Sequence, residues 1–213
     1  MSFASSISPF ALSAIIFVAG CGGGSGDGDA VTQAGPFASA GSGPITDSEA
    51  YAFEAEYFQV YQNWELGAVT DTLPQTTSAR YDGYLFMDLT QSTYVGGRVS
   101  LTADFTANSV NGSATDFSVI GSPTDPILED VAGTLSISSG TIAAPGYTFN
   151  SFSADLNGTL STRSDSHKVD GRLGGSFFEH SGENYAAARV YGNQTGADNV
   201  TLSIDGNLVA KQK

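Results

Sequence analysis

Cys21 is the only cysteine in the chain, and a lone thiol closes no disulfide within it. Stability must therefore come from packing. Basic residues are also scarce: eight Lys and Arg stand against 22 Asp and Glu, for a formal net charge of −14. Nucleic-acid binding draws on cations that neutralise backbone phosphates, so this balance argues against nucleic acid as a partner. It equally opposes lying flat on an anionic leaflet. No apolar run reaches the ~20 residues that a membrane-crossing helix needs; residues 11–20, ALSAIIFVAG, stop well short. There is no Gly-x-Ser-x-Gly elbow, zinc-protease helix or P-loop, so no motif supports an enzyme. The many carboxylates follow overall acidity and do not single out a glycosidase pair.

The apolar run that is present ends in the small residues Ala19 and Gly20 and has the length of a signal-peptide h-region. The string Val18-Ala19-Gly20-Cys21 resembles the lipobox of bacterial lipoproteins, in which the cysteine is diacylated, the chain is cut before it and the new amino terminus is acylated. That resemblance implies a signal peptide over 1–20 and lipidation at Cys21. Two or three acyl chains pass the threshold for stable anchoring, so the membrane would be engaged through covalent lipid only. The preceding segment, MSFASSISPF, departs from the usual pattern in having no Lys or Arg. Residues 21–45 are Gly, Ser, Ala and Asp with Pro36 and Pro44, a composition that predicts a flexible tether a few nanometres in reach. Asp27 and Asp29 in that tract fall far short of the six to eight oxygens that calcium takes.

Residues 46–72 form an N-terminal segment with two readings. Thr46 and Glu49 have capping-box spacing, and Phe53, Tyr57, Val60, Tyr61 and Trp64 share one helical face. Tyr51, Phe53, Ala55 and Tyr57 also alternate as a strand would. The helix is preferred. Over 73–213 apolar and polar residues alternate in segments of regular spacing, predicting strands at 79–90, 96–106, 109–119, 129–138, 147–161, 168–179, 184–192 and 198–210. Eight antiparallel strands remove both sheet edges by closing into an up-and-down barrel. The fold class expected is therefore all-β. Leu101, Phe105, Phe152 and Leu156 should face the interior, with Thr102, Asp104, Ser153 and Asp155 in water. A transmembrane barrel would show hydrocarbon a continuous apolar band, whereas Asp82, Asp88, Asp104, Asp170 and Arg172 fall on the outward faces.

Several stretches are similar to the barrel domain of lipoproteins related to transferrin-binding protein B: LPQTTSARYDGY at 73–84, the hairpin GRVSLTADFTANSVNGS at 97–113, VAGTLSI at 131–137, FNSFSADLNGTLS at 149–161 and VDGRLGGSFF at 169–178. After the last, Glu179 and His180 replace the family's Gly-Pro, and Ala186-Ala187 stand where it has a glycine pair. The resemblance implies a lipoprotein of the Gram-negative outer membrane, displayed on the cell surface, often through a dedicated outer-membrane export partner. Known members bind host proteins in iron or haem capture or in immune evasion. With a single barrel, a binding module for another protein or a small solute is expected; a structural envelope lipoprotein with a filled barrel is the alternative, and a hydrolase, which no motif supports, the second.

Candidate site residues are few. The segment 162–172, TRSDSHKVDGR, gathers Arg163, His167, Lys168 and Arg172 on an acidic body, a potential contact for an acidic partner unless Asp165 and Asp170 neutralise it. His167 and His180, the only two histidines, are expected in exposed hairpin loops. They would share a metal or haem iron only if those loops open at the same barrel end, and no third ligand supports one. No cofactor is expected. Residues 162–168 and 178–184 are the partner contacts proposed from sequence.

Overall fold

The computed structural model describes residues 43–46, 49, 50, 60, 77–90, 93–121, 129–143 and 151–213, all within one compact unit, Ala34–Lys213. The lipobox, Cys21 and the tether up to residue 42 lie outside the described residues. Eight antiparallel strands run in chain order: β1 (Ser78–Thr90), β2 (Thr93–Asp104), β3 (Ser109–Ile120), β4 (Glu129–Ile142), β5 (Ser151–Ser161), β6 (Ser166–His180), β7 (Glu183–Thr195) and β8 (Thr201–Gln212). Each pairs with its neighbours in sequence, and β1 pairs with β8, closing the barrel.

Period-two alternation sends Tyr81, Leu85, Met87 and Leu89 of β1 inward, with Leu101 of β2, Leu156 of β5, Leu173 and Phe177 of β6 and Leu208 of β8. All nine are fully buried. Phe177 is the hub, with ring centroids 4.8 Å from Phe152 and 5.2 Å from Tyr81. Interior glycines let neighbouring strands approach closely. A Cβ on Gly175 would lie 2.0 Å from the Ala187 carbonyl oxygen, so β6 and β7 approach there only because that atom is missing.

In β3 the inward residues Ala114 and Phe117 are three apart, because a bulge carries Asp116 at φ 54° and restores the phase beyond it. The β6–β7 hairpin, where the sequence departs from the resembling family, closes on Ser181 and Gly182, at φ 53° and 81°. Positive φ at both central positions is the primed turn that matches strand twist.

The end of the second strand differs from the sequence expectation. Phe105 is not a strand residue: β2 ends at Asp104, whose Oδ1 accepts the Thr106 and Ala107 N–H groups at 2.9 and 2.8 Å. Phe105 sits in that turn, partly buried, and caps the core edge-on against Phe177 at 5.3 Å. Asp82 is outward but only 8% exposed, because Arg80 (3.1 Å) and Lys213 cover and neutralise it.

Part of the barrel's outer face is also apolar. Tyr84, Phe86, Phe178, Tyr185, Ala187 and Val209 form a second core with Ile45, Ala50 and Val60 of the N-terminal segment. Glu49, Ala50 and Val60 are helical, and the capping box forms: Glu49 Oε2 accepts the Thr46 N–H at 3.0 Å, and Thr46 Oγ1 accepts the Glu49 N–H at 3.3 Å. Arg98 of β2 fastens this strap, donating from Nε to the Gly43 carbonyl (2.8 Å) and from Nη2 to Glu49 Oε1 (2.7 Å). Gly43 and Ile45, which the sequence assigns to the tether, are thus held on the barrel.

Candidate functional site

The β1–β2, β3–β4, β5–β6 and β7–β8 connections gather at one mouth of the barrel, and the β2–β3, β4–β5 and β6–β7 connections at the other. This separates the residues that the sequence groups together. His167 and His180 stand near opposite ends of β6, roughly 40 Å of strand apart at ~3.3 Å per residue, so they share no ion and no single partner contact. His180 lies at the far mouth beside Tyr185, ring centroids 6.4 Å apart. Among the described residues no three His, Cys, Asp or Glu side chains come together as metal ligands.

His167 is not an exposed loop residue. It is the second residue of β6, on the inward phase shared with Val169 and Leu173, and is 5% exposed. Gln194 of β7, 2% exposed and opposite Val169 in the β6–β7 pairing, reaches it diagonally, with Oε1 3.0 Å from His167 Nδ1. An amide oxygen only accepts, so Nδ1 carries the proton of this bond. In the neutral ring Nε2 is then the bare nitrogen, 3.9 Å from Asp165 Oδ2, beyond hydrogen-bond range.

Asp165 is fixed by the hairpin itself. Its Oδ1 accepts the backbone N–H groups of Ser166 (2.7 Å) and Ala197 (3.2 Å), tying the β5–β6 turn to the β7–β8 turn. Those two N–H groups hold its carboxyl below the usual aspartate range. Thr162 Oγ1 accepts from the Ser164 and Asp165 N–H groups at 3.3 and 3.1 Å, so a Ser/Thr turn sets the loop's shape.

The basic cluster predicted over 162–172 does not form a free positive patch. Arg163 donates from its backbone N–H to Glu129 Oε1 (3.2 Å) and places its guanidinium 3.6 Å from Glu129 Oε2. Arg172 pairs with Asp155 on the outer face at 3.6 Å. Lys168 is exposed on that outer face, between Thr159 and Thr195.

At this mouth the structure opens a pocket of about 370 Å³, near the lower end of ligand-site volumes, ~300 to 1,000 Å³. Its ionisable walls are Asp165 and His167 from the β5–β6 hairpin and Glu129 from β4. Thr90, Thr93, Thr162 and Ser164 add hydroxyls, and no Lys or Arg lines it among the described residues. The site's sign is therefore opposite to the one suggested by the basic loop. Glu129 and Gln194 were not singled out by sequence. Gln194 shares the inward phase of Val190 on β7, and that phase was the available signal.

No protein-family model, curated protein or solved structure matches this chain.

Proposed function

We propose that the protein is a lipid-anchored binding module of the Gram-negative cell surface, and that it engages its partner with its surface and not with its lumen. The filled interior carries the second half of this reading. An eight-stranded barrel either packs its core with side chains or holds one small ligand, and here Tyr81, Phe117 and Phe177, all 0% exposed, occupy the centre. This packing supports binding at a mouth or on the outer wall. The lipobox-like Val18-Ala19-Gly20-Cys21 supports the anchor, and a dedicated outer-membrane export partner, which the resembling lipoproteins often use, would account for surface exposure. The same filled interior suits a structural envelope lipoprotein, in which no partner is bound.

Two measurements on cells separate these readings. Cys21→Ser is expected to shift the protein from the membrane to the soluble fraction with the barrel still folded, because the thiol carries the acyl chains. A variant that still sediments with membranes removes the anchor. Protease added to intact cells should degrade the wild-type barrel; a barrel protected until the outer membrane is opened would favour the structural reading.

A further inference from the structure

We infer that the mouth pocket bounded by His167, Asp165 and Glu129 is a binding site for a primary ammonium group. The inference rests on the surface-binding reading and gives it a ligand class. The electrostatic balance comes first: one imidazole and two carboxylates wall about 370 Å³, and the nearest cation, Arg163, pairs with Glu129 while its side chain stays 84% exposed. An anion entering this pocket would meet carboxylates. A cation would be attracted to them.

The hydrogen-bonding roles narrow the class further. His167 Nδ1 is committed to Gln194 Oε1, so that in the neutral ring Nε2 is an acceptor, on a side chain that is 6% exposed and lines the pocket. Asp165 Oδ1 is committed to the Ser166 and Ala197 N–H groups, while Oδ2 faces His167 Nε2 from 3.9 Å. Two acceptors thus face one another with no donor between them. A group carrying several N–H bonds and a positive charge donates to both at once, displacing the water that reaches Asp165, whose side chain is 34% exposed. A primary ammonium has three such bonds. A metal ion fits less well, since two protein ligands leave it held mostly by water.

Because Asp165 is anchored through Oδ1 alone, the test can be selective. Asp165→Asn keeps an acceptor for the two backbone N–H groups and replaces Oδ2 with a donor. The full chain, labelled with ¹⁵N in its histidines, is titrated at neutral pH with ethylammonium chloride, with tetramethylammonium and sodium acetate in parallel. Expected is a saturable shift of the His167 Nε2 resonance with ethylammonium only. The dissociation constant should be on the order of 1 mM, since three heavy atoms support no more. Asp165→Asn should weaken it at least tenfold, with His180 unmoved as internal control. Putrescine, titrated next, separates a free small amine from Nα-acetyl-lysine amide, which presents the same group as a peptide side chain would. No saturable shift in the wild type overturns the inference, as does equal binding of tetramethylammonium or unaltered affinity in the folded Asp165→Asn protein. None of these results depends on where the protein resides, so a failed anchor and a failed site are told apart.

Discussion

Phe177→Ala is expected to destabilise the protein by about 3–5 kcal/mol, the range for removing a fully buried aromatic ring. The upper part of the range is favoured because the site cannot easily collapse. Ala186 is its partner on β7 and Gly175 and Ala188 pair one step along, so these small neighbours on β6 and β7 cannot extend into the void. Tyr81, Phe105 and Phe152 would each lose a ring contact. Against a typical total of 5–15 kcal/mol, the loss is a large fraction of stability. Urea unfolding should show a much lower midpoint with an unchanged slope. Tyr81→Phe is the counter-test from the same cluster. The Tyr81 hydroxyl is buried with no hydrogen-bond partner among the described residues, so deleting it should be neutral or stabilising. A clear loss in Tyr81→Phe, or a midpoint unmoved in Phe177→Ala, would mean that this end of the barrel is not packed as described.

The closed barrel was legible because one face of every strand meets a common core, and an alternating pattern has only one solution when one face is buried. Phe105 was misplaced because the alternation of Leu101 and Ala103 continues through it, and nothing in composition marks Asp104 as the residue whose carboxylate ends the strand. His167 was misplaced for the opposite reason. Its polarity suggested a loop, although it shares the phase of Val169, Gly171 and Leu173 and so belonged to the inward face. The second core was written in the runs Tyr84-Leu85-Phe86-Met87, Phe177-Phe178 and Tyr185-Ala186-Ala187-Ala188, which are apolar on both phases. Such runs mark strands covered on both faces, and the covering element is the capped strap. The mouth pocket had no such trace. It depends on which turns meet, and Glu129 and Asp165 become neighbours of one cavity only after the strands close.

Arg98→Ala is expected to release the strap at a cost of about 2–3 kcal/mol. This lies below the ~3–5 kcal/mol for breaking a fully buried pair, because the Glu49 side chain is 21% exposed and can partly rehydrate. The loss should be local, since the eight strands close without the strap. Ile45, Ala50 and Val60 should lose hydrogen-exchange protection or native methyl shifts while the β5–β6 amides keep theirs. The uncovered Tyr84, Phe86, Phe178, Tyr185 and Val209 would make an apolar surface prone to association. Acid should do the same. Burial pushes the Glu49 carboxyl up, but the Thr46 N–H, the Arg98 guanidinium and the Thr46 hydroxyl outweigh it and bring it below its ordinary value of 4.5. A carboxylate with a depressed folded value contributes stability that is fully present above the ordinary value and is lost as pH falls through the folded one. The Ile45 and Val60 methyl resonances should therefore be constant above pH 4.5 and move only below it. Glu49→Gln should show the acid positions at neutral pH and remove that step. Methyl groups indifferent both to acid and to Glu49→Gln would show that the strap is held by its apolar contacts alone, with the Arg98 pair contributing nothing to its docking.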